Sequence, residues 1–262
     1  MGILNVTPDS FSDGGRFNAQ DKALRQAEQM LAAGADIIDI GGESTRPGAE
    51  AISEAHELER VVPVIEALRE ITDVPISADT CKAGVMREAV TAGAAMINDV
   101  MALRAEGALQ AVAEAGVPVC IMHMQGTPRT MQDHPEYSDV TADVSEFLRG
   151  RIDACVAAGI SEELIIVDPG FGFGKSHAHN VELLANLRQL QDLGRPILTG
   201  LSRKSMLGEL TGRGLDERVP ASIAAAVVAA MNGAHIVRVH DVAATVDAMR
   251  VVRAVLDSGS LQ

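Results

Sequence analysis

Residues Ile37-Ile38-Asp39-Ile40 form a short apolar run, and the polar, glycine-rich segment Gly41-Gly42-Glu43-Ser44-Thr45-Arg46-Pro47-Gly48 follows it directly. The same arrangement opens the chain, where Ile3 and Leu4 precede the polar segment Asn5–Gly15. An apolar strand followed by a polar glycine-rich loop is typical of barrel folds whose loops carry the chemistry. Two such segments in succession predict two functional loops at neighbouring strand ends.

Six further short apolar runs follow along the chain, which makes eight predicted strands. They lie at residues 75–78, 96–97, 117–121, 164–167, 196–199 and 236–239. Amphipathic segments rich in Ala, Leu and Glu lie between strands, for example at 22–33, 54–71, 105–115 and 140–157. Eight βα units in about 250 residues predict an α/β fold, a closed parallel (β/α)8 TIM barrel. No linker or repeat divides the chain, so residues 1–262 are predicted to form one domain.

Composition excludes several classes of function. The formal net charge of −14, one Tyr and no Trp argue against a nucleic-acid-binding protein. The longest apolar runs are far shorter than the ~20 residues that span a bilayer, and Met1–Asn5 resembles no secretion signal. Cys81, Cys120 and Cys155 are too few and too widely spaced for a disulfide framework or a zinc site. We therefore expect a cytoplasmic protein with reduced thiols.

Polar side chains recur at or just beyond the predicted strand ends. Because the carboxyl ends of barrel strands form one rim, and barrel enzymes keep their active sites there, these residues are expected to converge. They are Asn5, Asp39, Asp79, Asn98, His123, Asp168, Ser202 and His240.

Three motifs near strand ends leave alternatives open. The segment Asp168–Ser176 fits neither a phosphate-binding P-loop nor a dinucleotide fingerprint, and from the residues alone a flexible rim loop is favoured. Ser202–Ser205 opens the helix after strand seven, which indicates either a phosphate site or a capping serine with solvated cations. Arg238 and His240 alternate on the last strand, so we expect both side chains together at the rim, apart from the floor of the pocket.

Weaker candidates also have simpler interpretations. His177 and His179 are close in sequence, but without a nearby third ligand a solvated loop is favoured over a metal site. His123 is a possible catalytic residue, although hydrogen bonding at the strand end is favoured. Asp39 and Glu43 would be a carboxylate pair if close, and a structural role is equally compatible with the pattern.

Several motifs together resemble the dihydropteroate synthase family over essentially the whole chain. They are Asn5–Phe11, Gly42–Gly48, Asp79-Thr80, Ile97–Asp99, Met122–Gly126, Asp168–Phe173, Ser202–Ser205 and Arg238–His240. The resemblance implies an enzyme of folate synthesis, a target of sulfonamides, that joins 6-hydroxymethyl-7,8-dihydropterin pyrophosphate to p-aminobenzoate. Dihydropteroate and pyrophosphate would be the products, formed by an SN1-like route.

The resemblance also implies roles for individual residues. Pterin would be bound by Asp79, Asn98, Met122, Asp168, Phe171 and Lys204, pyrophosphate by Thr45, Arg46, Arg238 and His240, and p-aminobenzoate by Phe11, Pro47 and Ser205. Asn5 would bind Mg2+. The catalytic residues would be Asp79, Asp168, Lys204 and Arg46.

The resemblance further implies a homodimer with small-molecule substrates. It also implies a short extension before the first strand, whereas this chain starts inside that strand, so we expect a less well plugged barrel bottom. Two alternatives remain. One is a pterin-binding methyltransferase that passes a methyl group to cobalamin, which would not need the phosphate-binding residues. The other is a non-catalytic pterin-binding paralogue, which would have lost loop or anion-site residues.

Overall fold

The computed structural model describes residues 1–7, 16–44, 51–126, 131 and 135–259. Its strands are short, and each is followed by at least one helix before the next strand or the end of the chain. The strands are β1 (Gly2–Asn5), β2 (Ile38–Gly41), β3 (Ile76–Asp79), β4 (Met96–Asp99), β5 (Val119–Met122), β6 (Ile165–Asp168), β7 (Leu198–Thr199) and β8 (Ile236–Val237).

Helices pack around the outside of the strands. They are α1 (Arg16–Ala32), α2 (Glu54–Arg69), α3 (Ala83–Thr91), α4 (Ala108–Ala115), α5 (Val140–Ala157), α6 (His177–Ala185), α7 (Ser205–Thr211), α8 (Val219–Met231) and α9 (Val242–Gly259). None of the helices within the described ranges is long and apolar enough to cross a membrane.

The eight described strands close into a ring, as predicted. Strands β1 to β6 form one parallel sheet in sequence order, and β7 pairs with β8. Single parallel bridges join the two parts, Val167 with Ile197 between β6 and β7, and Gly2 with Val239 between β8 and β1. Because every neighbour in this ring is parallel, all carboxyl ends of the strands lie at one rim.

The interior of the barrel changes from apolar to polar along its axis. Near the amino ends of the strands, a cluster fills the barrel with Met1, Met96, Cys120 and Leu198, packed by Ile37, Ile166 and Ile236. Side chains two positions apart on a strand face the same way. Hence Asp39, Asn98, Asp168 and Arg238, each two residues beyond a member of this cluster, lie above an apolar floor.

Local sequence signals explain where several helices begin and end. Ser53 caps α2 and Asp139 caps α5, since each side chain accepts backbone N–H groups of the first turn. Gly34, Gly93 and Gly116 have φ values of +91°, +113° and +64°, which confirms them as the predicted left-handed residues after helices. The three cysteines are free.

Candidate active site

A cluster of two carboxylates and one guanidinium lies inside the barrel at the ends of β2, β3 and β8. Arg238 donates from Nε to Asp39 Oδ2 and from Nη2 to Asp79 Oδ2, both at 2.6 Å. Asn98 donates to the same oxygen of Asp39 at 3.3 Å. Arg238 therefore contacts carboxylates of the predicted pterin pocket, and its assignment to pyrophosphate stays a prediction. Two buried carboxylates need a cation, and the arginine side chain is long enough to reach both.

Burial and charge determine the protonation of this cluster. Burial raises the pKa of Asp79 to about 7, although Arg238 opposes this shift. For Arg238 itself, burial disfavours the charged form, but Asp39 and Asp79 together raise its pKa. Asp79 can therefore exist in either protonation state near neutrality, so it can accept or donate a hydrogen bond.

The segment after β6 is a tightly built loop rather than a flexible one. Asp168 Oδ1 accepts the Gly170 N–H at 2.7 Å, and Asn180 Oδ1 accepts the Gly172 N–H at 2.7 Å. Gly170 has φ +68°, and a Cβ there would lie 1.9 Å from the carbonyl oxygen of His123. The glycines thus allow a close approach to the end of β5 and hold Asp168 in one orientation.

Lys204 faces the same region from the chain segment after β7. Its Nζ lies 4.3 Å from the centre of the Phe173 ring, a cation–π contact. Burial lowers the pKa of Lys204 to about 8, and Asp168 opposes this change. Conversely, burial raises the pKa of Asp168 to about 6, opposed by the Gly170 N–H and by Lys204. Asp168 and Lys204 therefore lie close enough for each charge to influence the pKa of the other.

The aromatic contact differs from the one expected. Phe171 is buried in the main hydrophobic core, whereas the ring of Phe173 adjoins Lys204. Gly170, Gly172 and Gly174, which flank and separate the two rings, have left-handed conformations, so the alternation of a strand does not hold there. Met122 lies in a small apolar cluster with Met124, Met131 and Phe173.

Lys175 is a buried residue that the sequence did not mark as functional. It is 2% exposed, and its Nζ is 2.8 Å from His123 Nδ1. It also donates to the carbonyl oxygens of Gly170 and Phe173 at 2.9 and 3.0 Å. Burial, with Lys175 as a second cause, lowers the pKa of His123 to about 2. His123 is thus a neutral hydrogen-bonding residue, in agreement with its simpler interpretation.

The rim near β8 contains His240 and the segment after β7. Ser202 Oγ accepts the His240 N–H at 3.2 Å and lies 3.0 Å from its Nδ1. Arg203 is paired with Asp241, at 3.0 Å from Nε and 2.6 Å from Nη2. Ser205 is exposed at the first turn of α7, directly after Lys204. His240, Lys204 and Ser205 are therefore the polar groups that this part of the rim offers to a ligand.

Glu43, just after β2, belongs to a separate ion-pair group. Lys82 Nζ donates to Glu43 Oε2 at 2.6 Å and to Glu57, which is fully buried. Glu43 also accepts the Ile52 N–H at 3.0 Å. Glu43 and Asp39 therefore have different partners and do not form a carboxylate pair. The group connects residues on both sides of the segment 45–50.

Asn5 has the chemistry of a Mg2+ ligand. It ends β1, and its Oδ1 and Asp79 Oδ2 both lie within 4 Å of the position that a Cβ on Gly41 would occupy. Within the described ranges, no group of three His, Cys, Asp or Glu side chains could hold a metal. Mg2+ is commonly bound by one or two protein oxygens and substrate phosphates, so an amide oxygen fits this mode.

Four of the proposed site residues, Phe11, Thr45, Arg46 and Pro47, lie outside the described residues. His177 and His179 belong to the first turn of α6 rather than to a loop. His177 pairs with Glu209, and His179 Nδ1 accepts the Ser176 N–H at 3.3 Å.

Together, the barrel, its apolar floor and the buried or half-buried acids, amide and lysine above it are typical of a barrel enzyme that binds a small polar ligand. In agreement, the family model described as "Pterin binding enzyme" matches residues 1–240. The dihydropteroate synthase of Escherichia coli K12 is 55% identical over 258 residues, covering 98% of this chain and 92% of that protein.

Solved structures show the same similarity. The Yersinia pestis dihydropteroate synthase with a sulfonamide drug complex superposes with a TM-score of 0.94 at 56% identity, covering 98% of this chain and 94% of that one. The Xanthomonas albilineans dihydropteroate synthase in complex with 7,8-dihydropteroate gives a TM-score of 0.89 at 53% identity, covering 98% and 92%. The chain belongs to the dihydropteroate synthase family of the pterin-binding enzymes. This membership favours the synthase over the methyltransferase and the non-catalytic paralogue.

Proposed function

We propose that the protein condenses 6-hydroxymethyl-7,8-dihydropterin pyrophosphate with p-aminobenzoate to give 7,8-dihydropteroate and pyrophosphate. The observation that carries this proposal is the set of buried Asn98 and Asp168 with half-buried Asp79 and Lys204 above an apolar barrel floor. A pterin presents hydrogen-bond donors and acceptors along its edges. A pocket whose own polar groups are buried binds such a ligand selectively, because an analogue without those groups would leave them unpaired.

The pterin end of the site contains the two carboxylates, the amide and the lysine, with Met122 beside them. Phe173 replaces Phe171 as the proposed aromatic contact, because its ring adjoins Lys204. Arg238 is assigned to this end as well, since it holds the orientation of Asp79. A direct contact of Arg238 with pyrophosphate remains a prediction from the sequence.

The pyrophosphate end is proposed to include His240, Thr45 and Arg46, with Asn5 as the ligand of Mg2+. Bound Mg2+ would supply positive charge to the leaving pyrophosphate. Separating that leaving group early produces a cationic pterin methylene group. The carboxylates Asp79 and Asp168 lower the energy of this cation, and the weakly nucleophilic arylamine then attacks it. Ser205, Phe11 and Pro47 are proposed to contact p-aminobenzoate.

Exposed apolar side chains on the last helices support a homodimer. Val228 and Met231 on α8, and Val251 and Val255 on α9, are 39 to 65% exposed, as are Leu210 and Leu215 nearby. Residues three or four positions apart share a helix face, so Val228 with Met231, and Val251 with Val255, each form an exposed apolar pair that a second copy could cover. The free cysteines fit the proposed cytoplasmic location.

The decisive experiment is to measure pyrophosphate release with both substrates together and with each one alone. Release that requires both substrates is expected, and release from the pterin substrate alone at the same rate would contradict the proposed transfer. Asp168→Asn and Lys204→Met should weaken binding of the bare pterin by about 1–3 kcal/mol, measured by calorimetric titration. Asp192→Asn, at an exposed position, and Lys22→Met, at a half-buried position on α1, are matched controls that should bind normally. Unchanged affinity in both site variants would refute the pterin pocket.

A further inference from the structure

The ammonium group of Lys175 lies in a buried position with a complete set of acceptors. Its three hydrogens are matched by three acceptors: His123 Nδ1 and the carbonyl oxygens of Gly170 and Phe173. A charged lysine satisfies all three contacts by donating, whereas a neutral amine would donate to the two carbonyl oxygens and accept from a protonated Nδ1. When Lys175 is charged, neutral His123 carries its proton on Nε2, because Nδ1 then accepts.

No carboxylate within the described ranges contacts this ammonium, which is unusual for a buried cation. The charges that face it are those of Asp168 and Lys204, together with neutral His123. Burial lowers the pKa of Lys175 to about 7, Asp168 opposes this shift and Lys204 adds to it. The protein therefore maintains a buried ionisable amino group close to the pterin end of the site.

The three contacts of Lys175 connect it to two proposed pterin-binding residues. Gly170, whose carbonyl Lys175 binds, donates its N–H to Asp168 at 2.7 Å. Phe173, whose carbonyl Lys175 also binds, places its ring 4.3 Å from Lys204 Nζ. One side chain thus fixes the two points of the loop on which the orientations of Asp168 and Lys204 depend.

We propose that Lys175 is a positioning residue of the transfer reaction: its buried ammonium builds the Asp168–Phe173 loop into the edge of the pterin pocket and preserves the negative charge of Asp168. This inference rests on the proposed function. Lys175 does not touch the pterin in this scheme. It acts through Gly170 and Phe173, and through its charge on the carboxylate.

The first test compares Lys175→Met, which removes the charge at similar volume, with Lys175→Arg, which keeps it, and with Lys22→Met as a control on α1. Binding of the bare pterin should weaken by about 10- to 100-fold in Lys175→Met, with affinity for the arylamine affected much less. Lys175→Arg should recover part of the loss, and Lys22→Met should match wild type. Equal binding in Lys175→Met and wild type would overturn the proposal.

The pH dependence separates positioning with charge from a purely structural role. The cations facing Asp168 are Lys175, Lys204 and Arg238. Without Lys175, the Asp168 carboxyl should take up a proton at higher pH, so the loss of pterin affinity on acidification should begin at higher pH in Lys175→Met. A weakening that is the same at every pH would show that the residue only holds the loop together.

A measurement on the wild-type protein avoids any dependence on the folding of the variant. The chain has four lysines, Lys22, Lys82, Lys175 and Lys204, so 13C-labelled lysine side chains give few signals that can be assigned by elimination. The titration midpoint of Lys175 should move when the bare pterin binds, while that of Lys22 should not. An unmoved Lys175 midpoint in a protein that binds pterin would refute this inference alone. A wild-type protein that binds no pterin and releases no pyrophosphate would instead refute the proposed function.

Discussion

Replacing Arg238 by methionine would leave Asp39 and Asp79 inside the barrel without their shared cation. Both bonds to the guanidinium are 2.6 Å long, and the two carboxylates are 0% and 10% exposed. Removing one partner of a buried ion pair costs about 3–5 kcal/mol. Protonation of one carboxyl group offsets part of this cost. We therefore expect Arg238→Met to lose about 3 kcal/mol of unfolding free energy at pH 8.

The sign of the pH dependence follows from Asp79. Its folded-state pKa is raised to about 7, so the folded protein binds more protons than the unfolded chain between about pH 4 and 7. Stability from this group is therefore lost as the pH rises through that range. Without Arg238 the folded-state pKa of Asp79 should rise further. A shift of one pKa unit corresponds to about 1.4 kcal/mol. The deficit of the variant should be about 1 kcal/mol smaller at pH 6 than at pH 8.

Urea denaturation of wild type and variant at pH 6 and pH 8, read by circular dichroism, measures this difference. Arg250→Met is the matched control, because Arg250 pairs with Asp247 on the surface at 73% and 78% exposure. It should change stability by less than about 0.5 kcal/mol. Calorimetry at pH 8 should also show weaker binding of the bare pterin by Arg238→Met. A deficit that is equal at both pH values, or below about 1 kcal/mol, would mean that Arg238 does not balance the carboxylates.

Three further predictions follow from the loops. Gly170→Ala should weaken pterin binding and stability, because its Cβ would meet the His123 carbonyl oxygen at 1.9 Å. Gly150→Ala in α5, where a Cβ meets nothing within 4 Å, should be neutral or stabilising. Thermal unfolding compares the two variants, and equal melting temperatures would contradict the close approach at Gly170. Lys82→Met should cost about 3 kcal/mol, since it leaves the fully buried Glu57 unpaired; urea denaturation that shows less than about 1 kcal/mol would mean that the carboxyl is simply protonated. Finally, p-aminobenzoate should bind measurably only with pyrophosphate and Mg2+ present, because Phe11 and Pro47 belong to the glycine-rich loops of the proposed anion site. Equal affinity for p-aminobenzoate without pyrophosphate and Mg2+, measured by calorimetric titration, would show a preformed arylamine site.

Much of the fold could be predicted from local patterns. The apolar runs identified all eight strands of the described structure, and amphipathic segments located helices such as Val140–Ala157 with both bounds correct. Glycines after helices were predicted correctly because glycine adopts the left-handed conformation without the steric cost that a Cβ brings. The rim positions of Asp79 and Asp168 followed from parallel strands alone, since each of these residues ends its strand.

The partners of the site residues could be decided only by the tertiary structure. Arg238 is 199 residues from Asp39 and 159 from Asp79, and only closure of the barrel brings these charges together. Strand alternation predicts the side of the sheet, but it does not tell how far a long side chain reaches or which buried charge it must neutralise.

In loops, the sequence does not even predict to which side a residue points, because strand alternation does not hold there. In the segment after β6, three glycines have φ near +70°, so Phe171 points into the core while Phe173 adjoins Lys204. The burial of Lys175 has the same origin, because the loop folds back onto His123, 52 residues earlier in the chain. The periodic patterns of apolar residues in strands and helices depend on residues close together in the chain, so they can be read from the sequence. Compensation of buried charge depends on contacts between distant segments, and these exist only once the barrel has closed.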